Sequence, residues 1–82
     1  MYRLYINDTN DQLVSWLNGR LQTLVRDYSK EYVLPSYGII WHRIKASGGF
    51  AQYVRHRETN KLYLVRILPL EEITLPPPTA TP

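Results

Sequence analysis

The sequence predicts a single α+β domain in which one amphipathic helix packs on one face of a small, mostly antiparallel sheet, in the order β-α-β-β-β. Three observations predict this class. The N-terminal residues alternate in polarity, residues 13–28 carry apolar side chains at helical spacing, and residues 39–68 are rich in β-branched and aromatic side chains and are divided by two turns.

The first strand and the helix are predicted from residue spacing. In the segment MYRLYI, Tyr2, Leu4 and Ile6 point to one side, as in a strand with one apolar face. Thr9 and Gln12 have the spacing of a capping box, which predicts that the helix begins here. The apolar stripe that would face the sheet comprises Leu13, Leu17, Leu21, Leu24 and Tyr28.

The second half of the chain is predicted to form an antiparallel meander. The helix should end before Pro35, because the residue preceding a proline avoids helical geometry. The predicted strands are residues 39–46, 50–57 and 62–68, joined by a hairpin loop at 47–49 and a turn at 58–61. Asn60 suits the left-handed backbone conformation that such a turn requires.

Length and composition predict one small domain without a bound metal or other cofactor. The chain has 82 residues, and we expect the domain to span 1–72. Residues 73–82 are expected to form a flexible tail, because consecutive prolines favour an extended chain that buries little. The absence of cysteine excludes disulfides and thiolate metal sites, and two histidines are too few for a zinc site unless carboxylates complete it.

Positive charge is concentrated in one segment. Residues 39–68 hold six Lys and Arg residues against one acid, Glu58, which gives a net charge of +5, whereas the charges of residues 1–38 cancel. Such an asymmetry favours a polyanionic partner.

The alternation of the predicted strands indicates which cations share a face. Side chains two residues apart point to the same side of a sheet, so the face away from the helix should carry both cations and aromatic rings. The predicted nucleic-acid-binding residues are Trp41, Arg43, Lys45, Tyr53, Arg55, Arg57 and Lys61. The face of Arg66 depends on the register of the last strand, since a slip of one residue exchanges the two faces.

This pattern favours a non-enzymatic protein that binds DNA or RNA. Arginine and lysine neutralise phosphates, and flat rings stack on unpaired bases. The main alternative is a protein-interaction or regulatory module, including a homodimer, because Tyr, Trp and Arg are also enriched in protein interfaces.

An enzymatic alternative is a small, metal-free ribonuclease of toxin type. The chain resembles such enzymes in its supply of residue types, namely Arg43, Tyr53, Arg55, His56 and Arg57. No catalytic residue is predicted, however, because His42 and His56 are expected as neighbours on the face beneath the helix, with structural roles.

No segment of the sequence predicts insertion into a membrane. The apolar runs are shorter than the roughly 18 residues that span a bilayer, and the N-terminus has no apolar region of a signal peptide. A cytoplasmic location is therefore the expectation.

Overall fold

The computed structural model describes residues 1–70, which form two helices packed on a four-stranded sheet. The elements are β1 (Tyr2–Asn7), β2 (Leu13–Gly19), α1 (Leu21–Tyr28), α2 (Tyr37–Ser47), β3 (Phe50–Arg55) and β4 (Leu62–Pro69). The predicted α+β class is confirmed, but the element order is β-β-α-α-β-β instead of β-α-β-β-β. The predicted tail at 73–82 lies outside the described residues.

The sheet is antiparallel throughout and has the strand order β2-β1-β4-β3. The first and last strands are therefore the central pair, and Leu4 lies opposite Leu17 on one side and Ile67 on the other. The strands β2 and β3 form the two edges. Both helices pack on one face of this sheet, so the fold has two layers.

Residues 13–19 form a strand, and the prediction of a helix over this segment is wrong. The Asp8 carboxylate accepts hydrogen bonds from the backbone N–H groups of Asn10 and Gln12, both at 2.9 Å. The Asp8 N–H donates to the Gln12 carbonyl at 2.9 Å, and Asp11 has a φ of 63°. These contacts close a tight hairpin between β1 and β2 where a capping box was predicted, because Asp8 supplies the local hydrogen bonds that favour a turn.

The second half of the predicted apolar stripe is helical, as expected. Leu21, Leu24 and Val25 are buried on α1, and Gly19 lies just before it. A Cβ atom at Gly19 would approach Cδ2 of Leu24 to 3.2 Å, so the strand and the helix pack closely at this residue. A larger residue at this position would therefore crowd the Leu24 side chain.

Residues 37–47 form α2, and the prediction of a strand at 39–46 is wrong. The Ser36 side chain accepts a hydrogen bond from the Ile39 N–H at 3.4 Å, which caps the start of the helix. Gly48 closes the other end with a φ of 87° and donates to the Ile44 carbonyl at 2.8 Å. Ile40 and Ile44, one helical turn apart, are the buried residues of α2.

The last two strands confirm the predicted hairpin. The strand β3 ends at Arg55, two residues earlier than predicted, and β4 covers the predicted segment. Asn60 has a φ of 62°, as the turn chemistry predicts. The register pairs Arg66 with Ala51 and Tyr5, which resolves the face of Arg66.

The hydrophobic core lies between the sheet and the two helices. The buried side chains are Leu4, Ile6, Leu21, Leu24, Val25, Tyr32, Ile40, Ile44, Phe50, Val54, Val65 and Ile67. Burying one such aliphatic or aromatic side chain contributes roughly 1.5–3 kcal/mol. All strand residues of this set point to the same face, which leaves the opposite face outside the core. Within residues 1–70, no helix is both long and apolar enough to cross a membrane.

Candidate functional site

The sheet face opposite the helices, which we call the open face, is built from alternate residues of all four strands. Each strand places its core residues towards the helices and the intervening residues on this side. The open face comprises Arg3, Tyr5, Asn7, Trp16, Asn18, Ala51, Tyr53, Arg55, Leu62, Leu64, Arg66 and Leu68.

Two guanidinium groups lie over two aromatic rings of the open face. Cζ of Arg3 lies 4.9 Å from the centroid of the Trp16 ring, and Cζ of Arg66 lies 5.2 Å from that of Tyr5. Tyr5 is the cross-strand partner of both Trp16 and Arg66. We call Arg3, Tyr5, Trp16 and Arg66 the arginine–aromatic row.

Hydrogen bonds from neighbouring residues hold the row in place. Arg3 donates through Nε to Oδ1 of Asn18 at 2.9 Å and through Nη1 to the Tyr5 hydroxyl at 3.4 Å. Arg66 donates through Nη2 to Oδ1 of Asn7 at 3.2 Å. The two guanidinium groups are therefore held near the rings. Each has five N–H donors, and the three acceptor oxygens use only some of them, so further donors can bind a ligand.

The open face carries positive charge, and its strands supply no carboxylate to balance it. The four described strands contain three arginines and no Asp or Glu, and all three arginines, Arg3, Arg55 and Arg66, lie on the open face. Among residues 1–70, the one salt bridge joins Arg26 to Asp27 on α1, in the helix layer. Solvent or a bound anion must therefore compensate the charge of the open face.

Two of the predicted binding residues lie on the open face. Tyr53 is 60% exposed, and Arg55 donates through Nη1 to Oδ1 of Asn60 at 2.8 Å. Both belong to the edge strand β3 and continue the open face beyond the arginine–aromatic row.

Three predicted residues lie in the helix layer instead. Trp41, Arg43 and Lys45 are on α2, so their predicted position on the open face is wrong. Arg43 donates to Oε1 of Gln52 and lies over the Phe50 ring, whereas Nζ of Lys45 lies 5.6 Å from the Trp41 ring. The strand assignment put them on the sheet because isoleucine and tryptophan are common in strands.

The remaining two predicted residues belong to the turn between β3 and β4. Arg57 follows the end of β3 and is turned towards the helix layer, where its Nε donates to the Ser29 carbonyl at 2.9 Å and its backbone N–H to the Glu31 carbonyl at 2.8 Å. Its predicted place on the open face is therefore wrong. Lys61 is exposed in the turn.

The two histidines belong to different elements of the fold. His42 is exposed on α2, so the predicted pair beneath a helix is not formed. His56 packs perpendicular to Tyr32, with 4.9 Å between ring centroids, and its Nδ1 accepts the Glu58 N–H at 3.2 Å. These contacts give His56 a structural role, because they hold the β3–β4 turn in place.

The residues of the ribonuclease hypothesis are dispersed. Arg43 lies on α2, Tyr53 and Arg55 lie on the open face, and His56 and Arg57 contact the segment after α1. Among the described residues, no three His, Asp or Glu side chains are arranged to hold a metal ion.

Several residues of the open face were not among the predicted binding residues. Arg3, Tyr5, Trp16, Asn18 and Arg66 were missed or left undecided. The alternation of MYRLYI already places Arg3 and Tyr5 opposite the apolar face, which was the available signal. Trp16 and Asn18 were missed because the spacing of residues 13–19 also fits a helix.

The comparisons with known proteins add no relative from which a role could be transferred. No protein-family model matches the chain, and no curated protein or solved structure matches it either.

Proposed function

We propose that this protein binds single-stranded nucleic acid on the open face of its sheet. The proposal rests on one observation: all three strand arginines lie on a face whose strands carry no acids, and two of them lie over aromatic rings of that face. The proposed binding residues are Arg3, Tyr5, Trp16, Tyr53, Arg55 and Arg66.

The arginines supply contacts to phosphates. A guanidinium group forms charge-assisted hydrogen bonds with phosphate oxygens, and each neutralised phosphate releases condensed counterions. Arg3 and Arg66 lie on the central strands and Arg55 on an edge strand, so a bound strand can run across the sheet.

The aromatic rings supply surfaces for unpaired bases. Trp16 is 53% exposed and Tyr53 is 60% exposed, although both belong to a sheet whose other face is the core. Bases stack on aromatic side chains and on arginine guanidinium planes, and each base–aromatic contact contributes about 1–3 kcal/mol. A broad sheet with stacking surfaces favours a single strand over a duplex, whose bases are already stacked.

A salt titration with labelled single-stranded oligonucleotides tests the proposal. Three phosphate contacts predict that log K falls with log salt concentration with a slope of about −2, at about 0.7 per contact for single strands. The variant Arg66→Gln should weaken binding and lower the magnitude of this slope by about 0.7.

The matched control is Arg26→Gln, which removes the same charge from α1 in the helix layer. It should leave the slope almost unchanged, because Arg26 does not belong to the open face. Equal losses in the two variants would indicate attraction by net charge alone, and no binding at low salt would contradict the proposal.

A further inference from the structure

The edge strand β2 is apolar, uncharged and half-exposed on both of its faces. Its residues Leu13, Val14, Trp16 and Leu17 are between 47% and 53% exposed. Trp16 lies on the open face opposite Tyr5, whereas Leu17 lies opposite the core residue Leu4 and points to the helix side. No residue of β2 carries a charge.

Such an edge has few of the devices that keep sheets from pairing. It carries no charge and no proline, and its one irregularity is a bulge at Val14, because Ile6 pairs with Ser15 and Asn7 with Leu13. Natural edge strands are protected by charges, prolines or covering segments, because their outer N–H and C=O groups can otherwise bind another strand. The opposite edge, β3, carries Arg55, and the Val33 N–H donates to its carbonyl at 2.9 Å. A bridge between Tyr32 and His56 adds cover just beyond the end of β3.

A nucleic acid on the open face would leave half of this apolar surface uncovered. Leu17 lines a groove of about 340 Å³ on the helix side, together with Tyr28 and the charged residues Asp27, Lys30 and Glu31. Only a strand laid along the edge covers both faces of β2 and pairs its outer backbone groups as well.

We propose that β2 pairs antiparallel with β2 of a second copy of this chain. Pairing centred on Trp16, in the regular part of the strand after the bulge at Val14, places Trp16 opposite the partner's Trp16 and Ser15 opposite the partner's Leu17. This register keeps each side chain on its own face of the joined sheet. The two four-stranded sheets become one sheet, and the two open faces become continuous.

A second copy fits this edge because the strand is neutral and symmetric pairing brings no like charges together. The exposed apolar surface of the four side chains is on the order of 400 Å² per copy, as in the largest apolar patches of monomers. Two such surfaces total about 800 Å², which is below the roughly 1,200 Å² of stable specific interfaces, so the dimer should be weak and reversible. This inference does not depend on nucleic-acid binding.

Sedimentation over a wide protein concentration range tests the dimer. We expect the average mass to rise from that of the 9.7 kDa monomer towards twice that value. The variant Leu17→Lys should weaken self-association by about tenfold or more, because each copy would lose an apolar contact and bury an ammonium group.

The matched control is Ile39→Lys, which makes the same kind of change at a 50% exposed residue of α2. It should self-associate as the unsubstituted chain does, and circular dichroism should show both variants folded. A monomer at every concentration would overturn the proposal. A dimer that Leu17→Lys leaves intact would overturn the assignment to β2.

Cysteine cross-linking tests the register. The chain contains no cysteine, so Trp16→Cys introduces one thiol beside its own symmetry mate. We expect mild oxidation to give a disulfide-linked dimer of Trp16→Cys but not of Tyr53→Cys, which places a thiol on the other edge strand. Equal cross-linking of the two variants, or none for Trp16→Cys, would overturn the proposed pairing.

Discussion

Asn7 connects the β1–β2 hairpin to the arginine–aromatic row. It is the one buried polar residue of the described chain, at 6% exposure. Its Oδ1 accepts from Arg66 at 3.2 Å, and its Nδ2 donates to the Asp11 carbonyl at 3.3 Å. Among the described residues, Nε of Arg66 is buried without a partner, so Asn7 supplies the hydrogen bond that fixes this guanidinium group.

The variant Asn7→Ala should therefore be destabilised. Losing one partner of a buried hydrogen bond costs about 1–3 kcal/mol, because the remaining group keeps its desolvation penalty. Urea denaturation measures this loss. Asn18→Ala, at an exposed residue of the same sheet, is the control and should change the free energy of unfolding by less. Equal effects would show that Asn7 has no special role.

Tyr32 couples stability to alkaline pH. Burial is the main cause that raises the pKa of Tyr32 above its ordinary value of 10.0, and the nearby charge of Glu31 adds to it. The folded protein thus favours the neutral phenol. Its contribution is fully present below about pH 10 and is lost as the pH rises from there through the raised pKa.

We expect Tyr32→Phe to lose less stability than the unsubstituted chain as the pH rises above about 10, because phenylalanine cannot ionise. Urea denaturation at a series of alkaline pH values measures the difference. Tyr53→Phe is the control, since Tyr53 is exposed. Parallel pH profiles for Tyr32→Phe and the unsubstituted chain would exclude this role of Tyr32.

At the scale of elements, the two glycines of α2 have opposite expected effects. A Cβ atom at Gly38 would meet no other atom within 4 Å, whereas Gly48 has a φ of 87°. Gly38→Ala should stabilise the protein by about 0.4–1 kcal/mol by restricting the unfolded chain. Gly48→Ala should destabilise it by about 1–2 kcal/mol, because left-handed geometry strains an L-residue.

Thermal or urea denaturation of these two variants tests the helix itself. Destabilisation by both substitutions, or by neither, would contradict the description of α2 as a capped helix.

The sequence predicts elements well where only one periodicity fits. The alternation of MYRLYI and the turn at Asn60 identify β1 and the β3–β4 hairpin, and Leu21, Leu24 and Val25 identify the helical face of α1. In residues 13–19, apolar residues stand at both helical and strand spacings. Pairing with β1 and the turn at Asp8 decide in favour of a strand, and the spacing of residues in the sequence does not show either interaction.

The formation of a helix at α2, where a strand was predicted, has a different physical cause. The segment IIWHRIKA has strand-like residues, but Ser36 and Gly48 lie where helix caps are found. Here caps and the burial of Ile40 and Ile44 outweigh intrinsic strand preference. Trp41, Arg43 and Lys45 therefore lie on α2 and not on the sheet. Of the predicted binding residues, Tyr53 and Arg55 are the two that lie on the open face, as predicted.

At the scale of the whole molecule, the two layers differ in charge pattern. The helix layer mixes signs, with Asp27 and Glu31 near Arg26 and Lys30. The strands carry cations alone, and these lie on the open face. The layer that supplies stability and the face proposed for binding are thus separated by the sheet, so substitutions on the open face can alter binding without emptying the core.

The two tryptophans lie on opposite sides of the sheet, so their fluorescence gives the most direct measurement of which side binds nucleic acid. Trp16 belongs to the open face, and Trp41 belongs to α2 in the helix layer. The variants Trp41→Phe and Trp16→Phe each leave one tryptophan whose fluorescence reports on its own side. Stacking on a base brings the ring into direct contact with the oligonucleotide.

Titrating both variants with a single-stranded oligonucleotide at low salt tests the central claim. We predict that the emission of Trp16, observed in Trp41→Phe, is quenched with saturation, whereas the emission of Trp41, observed in Trp16→Phe, stays nearly constant. Quenching of Trp41 with an unchanged Trp16 signal would place the ligand on the helix layer and contradict binding on the open face.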